Sequence, residues 1–388
     1  LATDDDREGE AIAWHICKTF KLPIKSTKRI IFHEITKPAI KNAIANPTRI
    51  NMNTVNAQLA RQVLDLLVGF TISPILWKHI SRNTEGSLSA GRCQTPALRL
   101  VYEQQKLINE SPGRKVYDTT GIFTKKNLKF VLDYNYDDEE KMADFLEESA
   151  NFSHKYSVSK PRITTKNPPI PFTTSTLQQK ASNEYNFSPK QTMKLAQTLY
   201  ENGHITYMRT DSTSISSEAV KLIKDAIIQK VGIDYFETRS YVNKKANTQE
   251  AHECIRPTKP SNFEIDGSSD EKRLYNAILK RTLQSQMKSA EYQNILIEIS
   301  IDDKKENLKD YKLVGNLDNL IYEGYLILDN KKGNKKLDSK KLNKLDWLEI
   351  NGIEDTQKPP TRYNDASLIN KMDPKNLNIG RPSTYASF

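Results

Sequence analysis

Cysteine is scarce in this chain. The 388 residues include three cysteines, Cys17, Cys93 and Cys254, which are far apart and form no Cys-x-x-Cys pair. A disulfide framework or a zinc ribbon needs paired or closely spaced cysteines, so the sequence predicts neither. A reducing, cytoplasmic setting is the simplest expectation.

Two other features are absent. No Gly-x-x-x-x-Gly-Lys-Ser/Thr loop occurs, so the sequence gives no sign of ATP binding by that loop. No uninterrupted apolar segment is long enough to predict a membrane span. Hydrophobic residues make up 37% of the chain, which favours packed modules over disorder. Single cores seldom grow past about 250 to 300 residues, so several domains are expected.

Positive charge is in excess. Lys plus Arg number 58 and Asp plus Glu number 48, which gives a formal net charge of +10 at pH 7. A basic surface attracts polyanions, and binding to DNA releases the counterions around the phosphates. Many soluble proteins are also basic, so the charge agrees with a nucleic-acid partner without establishing one.

A tyrosine and an arginine stand two positions apart in His-Ile-Thr-Tyr-Met-Arg-Thr-Asp-Ser, residues 204–212. In an extended chain such side chains share one face, so Arg209 would hold a phosphodiester beside the phenol of Tyr207. A free phenol has a pKa of about 10, and nearby positive charge favours the reactive phenolate. Taken alone, Tyr207 fits a half-buried strand aromatic better than a nucleophile.

Carboxylates are concentrated at the start of the chain, in Leu-Ala-Thr-Asp-Asp-Asp-Arg-Glu-Gly-Glu. Asp4, Asp6 and Glu8 are spaced by two, so an extended segment would project them to one side as ligands for Mg²⁺, which prefers hard oxygen donors. A solvated acidic face is the alternative. Glu10 fits either a metal ligand or a cap of the following helix.

Periodicity and end signals predict the first elements. Helices are expected at residues 11–18 and 37–45, with a short apolar strand at 30–35 between them. A β-rich stretch begins with strands at 116–123 and 128–134, and a second one follows at 292–350.

A longer helical stripe runs from Val55 to Phe70. Its apolar residues lie opposite a polar stripe that includes Arg61 and Asp65, so one face is expected to pack and the other to meet DNA. The Ser-Pro pair at 73–74 resembles an N-cap and a first-turn proline, which predicts that a new helix starts there.

Helices are also predicted just before the tyrosine segment. One covers 174–181, and Ser188 with the proline after it starts another that closes at Gly203. Two short helices followed by a strand are typical of winged-helix-like DNA binders, an architecture that presents Tyr207 at a surface.

Three further segments complete a family pattern. They are Ser-Ala-Gly-Arg-Cys-Gln within 88–98, Ala-His-Glu-Cys-Ile-Arg-Pro within 251–258 and Gly-Arg-Pro-Ser-Thr-Tyr within 380–386. Together with the acidic cluster, which is similar to the TOPRIM motif, and the tyrosine segment, they resemble type IA DNA topoisomerases. The residues within these motifs most resemble those of bacterial-type topoisomerase I, except that Cys93 replaces the usual valine. Five ordered motifs over nearly the whole chain make a chance match very improbable.

The resemblance implies a multidomain α/β and α+β fold, the toroidal core of type IA enzymes. The expected parts are a partial TOPRIM domain, a helical domain, a β-rich arch and an inserted winged-helix-like domain. Their boundaries are 1–49 for the C-terminal part of the TOPRIM domain, 50–107 and 359–388 for the helical DNA-binding domain, 108–170 and 285–358 for the arch, and 171–284 for the inserted domain with the tyrosine.

The resemblance also implies an ATP-independent isomerase that relaxes negatively supercoiled DNA. The oxygen of Tyr207 would attack a phosphorus of single-stranded DNA, leaving a 5′-phosphotyrosine link and a free 3′ hydroxyl. Strand passage and the reverse reaction would follow. A monomer that acts on DNA away from membranes is expected, cytoplasmic and nucleoid-associated if the source is bacterial.

Roles for individual residues follow from the same resemblance. Arg209 would stabilise charge on the phosphate oxygens, with His252 and Arg256 as further contacts and Glu8 also in the catalytic set. The Mg²⁺ ligands would be Asp4, Asp6 and Glu8. The DNA-binding residues would be Arg61, Asp65, Arg92, Gln94, Arg256 and Arg381. Structural roles stay open, since the first four of these also fit salt bridges or turn contacts and His252 also fits a hydrogen-bonded structural histidine.

Rival functions stay open as well. Another TOPRIM enzyme, a primase or nuclease, would use the acidic cluster without a covalent tyrosine. A topoisomerase III-like decatenase shares most of the motifs, and a noncatalytic single-stranded DNA binder is the alternative for these residues alone. The family also has an upstream acidic residue and a lysine that cannot be located in this sequence, so we expect weak cleavage from these residues alone.

Overall fold

The structure is a computed structural model. It describes residues 1–80, 88–111, 113, 115–123, 128–150, 153–241, 253–302, 312–329, 347–356, 358–373, 375–380 and 382–385. The chain forms two compact units. One comprises Leu1–Gln104, Pro169–Gln286 and Arg362–Phe388, and the other comprises Gln105–Pro168 and Met287–Thr361. The six-part domain division stays a prediction.

The elements follow one another as a mixture of helices and strands. The described helices are α1 (Arg7–Thr19), α2 (Lys37–Ala45), α3 (Met52–His79), α4 (Gln94–Glu110), α5 (Glu139–Ala150), α6 (Thr174–Tyr185), α7 (Pro189–Glu201), α8 (Ser217–Val231), α9 (Ser269–Ser285), α10 (Asp365–Met372) and α11 (Pro382–Tyr385). The described strands are β1 (Lys28–Arg29), β2 (Thr48–Arg49), β3 (Lys115–Phe123), β4 (Leu128–Leu132), β5 (Ser153–Val158), β6 (Arg162–Lys166), β7 (Ala290–Asp302), β8 (Lys312–Tyr322) and β9 (Trp347–Thr356).

The first helix begins earlier than the sequence predicted. α1 starts at Arg7 because Asp6 is its N-cap, and the Asp6 carboxylate accepts a 2.7 Å hydrogen bond from the backbone N–H of Gly9. Carboxylates are favoured at this position because the first backbone N–H groups of a helix lack partners within it. The predicted helix at 11–18 is therefore the later part of α1.

The strand predicted at 30–35 is shorter and lies earlier. β1 pairs antiparallel with β2, and Ile30 adds only an isolated parallel bridge to Ala2. The prediction for α2 is confirmed, since this helix spans Lys37–Ala45 with Thr36 as its N-cap.

α3 runs through Pro74 without interruption, so the predicted helix start at this position is wrong. A proline removes one backbone hydrogen bond of the helix, but the flanking residues continue it here. Ser73 does not cap a new helix. Its Oγ instead accepts a 3.1 Å hydrogen bond from the backbone N–H of Ala90. A contact with a distant segment therefore decides how this Ser-Pro pair is used.

Most of the apolar face of α3 is exposed, which contradicts the packing expected for it. Val55 is buried and Leu59 packs beside it, whereas Phe70 is 77% exposed. Among the described helices, α3 is long and apolar enough to cross a membrane by length and composition, with a mean hydropathy of 1.4 over its most apolar window. This corrects the expectation that no such segment occurs, although a single helix of this kind is weak evidence for a membrane span.

The tyrosine lies among helices α6 to α9. The N-cap predicted for α7 is confirmed, because the Ser188 Oγ accepts a 3.2 Å hydrogen bond from the backbone N–H of Gln191. The described part of this module contains no strand. Its described residues form only two isolated bridges, Phe172 with Ile255 and Ile205 with Pro257. Proline has no N–H to extend a ladder, which is consistent with the absence of the strand expected for a winged-helix-like module.

The second unit is built on one antiparallel sheet. Its strand order is β5-β7-β8-β4-β3-β9, with β6 also paired to β7. β3 pairs with β9 and β4 pairs with β8, so strands of both predicted β-rich stretches lie in this sheet. Its core includes Phe123 and Phe130, whose rings meet edge to face at 5.3 Å.

Candidate active site

The acidic segment bends where α1 begins, so its carboxylates do not share one extended face as the spacing suggested. Asp4 precedes the bend, Asp6 caps α1, and Glu8 lies in the first turn of that helix. Burial, followed by the negative charge of Asp6, raises the pKa of Asp4 above its ordinary value. Glu8 pairs with Arg61 of α3 at 3.1 Å. The structure therefore brings Asp4 and Asp6 together and pairs Glu8 with a cation.

A buried ion pair holds the acidic segment in place. Arg29 is 1% exposed, and its Nη1 donates a 2.7 Å hydrogen bond to Oε2 of Glu10. The same guanidinium donates to the carbonyl of Asp4 at 2.6 Å and to Oγ1 of Thr3 at 2.8 Å. The other carboxylate oxygen of Glu10 accepts the backbone N–H of Asn51 at 2.7 Å. Both carboxylate oxygens of Glu10 thus accept hydrogen bonds within the protein. In this arrangement Glu10 acts neither as a metal ligand nor as a cap of α1.

The tyrosine segment leaves α7 through a left-handed glycine. Gly203 has a φ of +73°, and a Cβ there would lie 2.7 Å from the carbonyl oxygen of Ile35. Thr206 then fixes the segment, because its Oγ1 donates to the carbonyl of Cys254 at 2.7 Å and its N–H donates to the carbonyl of Arg256 at 2.9 Å. The backbone that leads into the tyrosine is therefore held in place.

The hydroxyl of Tyr207 donates a 2.7 Å hydrogen bond to Oδ2 of Asp6. Its backbone N–H donates a 2.8 Å hydrogen bond to the carbonyl of His33. Tyr207 is 3% exposed. Burial raises the pKa of the phenol, and the charge of Asp6 and the hydrogen bond to it raise that pKa further. The phenol is therefore protonated here, whereas the sequence argument had expected positive charge to favour the phenolate.

Arg209 approaches the same carboxylate. Its Nη1 lies 3.7 Å from Oδ2 of Asp6, and the side chain is 43% exposed. The nearby charge of Arg209 lowers the pKa of Tyr207, but burial and the acidic groups outweigh it. Tyr207 and Arg209 thus lie close together, as their two-residue spacing suggested, and both approach Asp6, although the segment that carries them is not a strand.

Arg256 is buried and paired with two carboxylates. Its Nε donates a 2.6 Å hydrogen bond to Glu253, and its Nη2 lies 3.2 Å from Glu34. The guanidinium is therefore engaged within the protein, and its DNA contact stays a prediction. His252 and Arg381, which the resemblance also implied as site residues, lie outside the described residues.

The predicted DNA contacts on the helical segments form a network of charges. Arg61 lies between Glu8 and Asp65, with its Nε 3.9 Å from Oδ2 of Asp65. Arg92 donates a 2.9 Å hydrogen bond to Oδ1 of the same Asp65. The amide of Gln94 donates to Oγ of Ser89 at 3.0 Å. The structure brings Arg61, Asp65 and Arg92 together beside the acidic segment, and their roles in DNA binding stay predictions.

The donors for a cation are fewer than the sequence suggested. No group of three or more His, Cys, Asp or Glu side chains among the described residues is arranged to hold a metal ion. Asp4 and Asp6 fit a divalent cation in part, because they offer hard oxygen donors whose mutual repulsion a cation would relieve. Glu8 does not join them in this arrangement because Arg61 holds it.

Four residues of the site escaped the sequence analysis. They are Arg29, His33, Glu34 and Tyr200. Arg29 follows Lys28 directly before the short apolar segment, so its sequence position does not distinguish it from a solvent-exposed charge. His33 and Glu34 act through a backbone carbonyl and an ion pair with residues far away in the chain. Tyr200 acts through a ring contact with Tyr207 seven positions later, a spacing that none of the sequence motifs marks.

The chain matches two family models. A model of DNA topoisomerase covers residues 49–388, and a model of the Toprim domain covers residues 1–35. Among similar curated proteins, a prokaryotic-type DNA topoisomerase 1 of Acanthamoeba polyphaga mimivirus is 35% identical, and the match covers 100% of this chain and 49% of that protein. DNA topoisomerase 1 of Zymomonas mobilis is 38% identical over 100% of this chain and 33% of that protein.

A solved structure agrees with these matches. The full-length topoisomerase I of Thermotoga maritima superposes with a TM-score of 0.81 at 34% identity, covering 100% of this chain and 64% of that one. The chain spans about a third to a half of the length of the curated relatives. On these matches, the chain belongs to the type IA, prokaryotic-type DNA topoisomerase I family.

Proposed function

We propose that this protein cleaves one strand of DNA through Tyr207, passes DNA through the break and reseals it, which relaxes negatively supercoiled DNA. The observation that supports this most directly is the hydrogen bond between the Tyr207 hydroxyl and Asp6, with Arg209 beside it. A nucleophile, a proton acceptor and a cation meet at one point. Family membership supports DNA as the substrate.

The cleavage step exchanges one ester bond for another. The phenolic oxygen of Tyr207 attacks phosphorus, the bond from phosphorus to the 3′ oxygen breaks, and the DNA is left with a 5′-phosphotyrosine link. Asp6 is the carboxylate nearest to the phenolic proton and serves as its acceptor. The departing 3′ oxygen takes up a proton. Because the new phosphodiester has an energy similar to the old one, the reverse attack by the 3′ hydroxyl reseals the strand without ATP.

Charge on the phosphate oxygens is stabilised by the exposed part of Arg209. Asp4 and Asp6 are the residues that would hold Mg²⁺ in the Toprim part of the chain. When bound, Mg²⁺ supplies positive charge beside the reacting phosphate. Glu8 would join these ligands only after leaving Arg61.

Access to the nucleophile requires movement. Because Tyr207 is buried against the acidic segment, a DNA strand reaches the phenol only when residues 1–35 and the tyrosine segment separate. The contacts that break are the Tyr207 bonds to Asp6 and His33 and the ion pair between Arg256 and Glu34. Closure of residues 1–35 on the bound strand would return Asp6 to the phenolic proton before attack.

The proposal is tested by trapping the covalent intermediate. The full-length protein is incubated with single-stranded DNA labelled at its 3′ end and then denatured, and labelled DNA attached to protein is measured. We expect an adduct that Tyr207→Phe abolishes while DNA binding persists. Tyr275→Phe is the matched control, because it removes the hydroxyl of another buried tyrosine, which bonds to the carbonyl of Asn262. That variant retains the adduct.

Two outcomes would overturn the proposal. DNA cleavage that persists in Tyr207→Phe indicates a metal nuclease in place of a covalent tyrosine enzyme. DNA binding without an adduct in the unmodified protein indicates a noncatalytic single-stranded DNA binder.

A further inference from the structure

A second buried tyrosine lies against the nucleophile. Tyr200 is in the last turn of α7, and its ring packs against the ring of Tyr207 with centroids 5.3 Å apart and an interplanar angle of 65°. Both side chains are buried. Edge-to-face packing of this kind is stabilising and restricts the relative orientation of two rings.

Tyr200 is also influenced by the charge of the acidic segment. Burial raises the pKa of its phenol, and the negative charge of Asp4 raises that pKa further. Tyr200 therefore packs against Tyr207 at a place where the charge of Asp4 is felt.

Three contacts fix the position of Tyr207, and they differ in where their partners lie. Its hydroxyl bonds to Asp6 and its N–H to His33, both in residues 1–35. Its ring contacts Tyr200, which lies seven positions before it on the adjoining helix. Entry of DNA separates residues 1–35 from the tyrosine segment, so the first two contacts break and the ring contact remains.

The backbone keeps Tyr200 and the tyrosine segment together. The N–H of Gly203 donates to the carbonyl of Tyr200 at 2.8 Å, and the N–H of His204 donates to the carbonyl of Leu199 at 2.9 Å. These bonds join the end of α7 to the start of the segment that carries Tyr207. The ring of Tyr200 therefore travels with the nucleophile.

We propose that Tyr200 is a positioning residue for the nucleophile, whose ring keeps the phenol of Tyr207 oriented while the acidic segment is displaced by entering DNA, so that the phenol is in place when Asp6 returns to accept its proton. This inference rests on the proposed covalent cleavage of DNA. Tyr200 contacts neither DNA nor the reacting atoms in this scheme. Its effect comes from the sensitivity of reaction rates to small displacements of the attacking atom.

The test separates orientation from binding. Single-turnover cleavage of 3′-labelled single-stranded DNA is measured at saturating DNA for Tyr200→Leu and Tyr200→Phe, alongside the Kd for the same DNA. We expect Tyr200→Leu to lower the cleavage rate by roughly tenfold to a hundredfold with little change in Kd. Tyr200→Phe keeps the ring, so it should cleave at close to the unmodified rate. Tyr200→Met, which fills a similar volume without a ring, is expected to behave like Tyr200→Leu and serves if that variant does not fold.

Phe187→Leu is the control for general loss of packing. Phe187 is a buried aromatic of the same module whose ring contacts Tyr185. This variant should lose thermal stability but cleave at the unmodified rate. If the unmodified protein forms an adduct and the leucine and methionine variants at position 200 form it equally fast, the inference about Tyr200 is rejected while the proposed function stands. If the unmodified protein forms no adduct, both the proposed function and the inference about Tyr200 are rejected.

Discussion

The hydroxyl of Tyr207 and the carboxylate of Asp6 are joined by a 2.7 Å hydrogen bond, although 201 positions separate the two residues in the chain. The same carboxylate caps α1 through the N–H of Gly9 and lies 3.7 Å from Arg209. One side chain therefore links the start of a helix to Tyr207, the proposed nucleophile, and its two expected roles are separable by mutation.

Asp6→Asn should remove the charge and keep the cap, because Asn and Asp are similarly good N-caps. We expect adduct formation to slow by roughly a hundredfold or more, the usual size of a general-base contribution, with little loss of stability. Asp6→Ala should slow the reaction similarly and also cost about 1 kcal/mol of stability through loss of the cap. Single-turnover cleavage and thermal unfolding measure the two effects. An asparagine variant that cleaves at the normal rate would exclude Asp6 as the proton acceptor.

Glu10→Gln should destabilise the first unit strongly, because it leaves the charge of Arg29 buried without its partner. Breaking a buried pair costs about 3 to 5 kcal/mol. Urea unfolding measures the loss. Glu103→Gln is the comparison, since Arg99 and Glu103 form a largely exposed pair worth about 0 to 1 kcal/mol. Equal losses of unfolding free energy in the two variants would show that burial does not make the Arg29 pair more important for stability.

Gly203→Ala should displace the tyrosine segment. The residue has a left-handed φ, which costs about 1 to 2 kcal/mol for alanine, and the new Cβ would collide with the Ile35 carbonyl oxygen. We expect lower stability and slower adduct formation. Gly232→Ala is the matched control, because Gly232 also has a positive φ but no atom within 4 Å of a Cβ. Normal cleavage by the position 203 variant, measured beside this control, would contradict the predicted displacement.

Arg61→Gln should weaken binding of single-stranded DNA and reduce its dependence on salt. Each phosphate contact contributes about 0.7 to the slope of log affinity against log salt for single strands, so the slope should fall by about that amount. Fluorescence anisotropy over a salt series gives the slope. Arg99→Gln removes an exposed cation of α4 that pairs with Glu103, and it should leave the slope unchanged. An unchanged slope in the Arg61 variant would assign this residue to the salt bridges with Glu8 and Asp65 alone.

Local sequence features were sufficient to predict several elements of the fold. The bounds of α2, the cap of α7 and the strands β3 and β4 follow from capping residues, proline positions and alternation, which act over a few residues. The same local rules failed at the Ser-Pro pair in α3, where a hydrogen bond from Ala90 occupies the serine. They also failed for the apolar stripe of α3, because periodicity identifies a face but not what covers it.

The residues that carry the family pattern were determined by the sequence alone, since Asp4, Asp6, Tyr207 and Arg209 are recognisable from spacing and residue type. Their protonation and partners were decided only by the tertiary structure. Spacing suggested a phenolate favoured by arginine and three carboxylates on one face. In the folded chain the phenol is instead buried against Asp6, the chain turns at the cap of α1, and Glu8 forms an ion pair with Arg61. The physical reason is that burial and charge depend on the distance between atoms in space, and residues 201 positions apart have no fixed distance until the chain has folded.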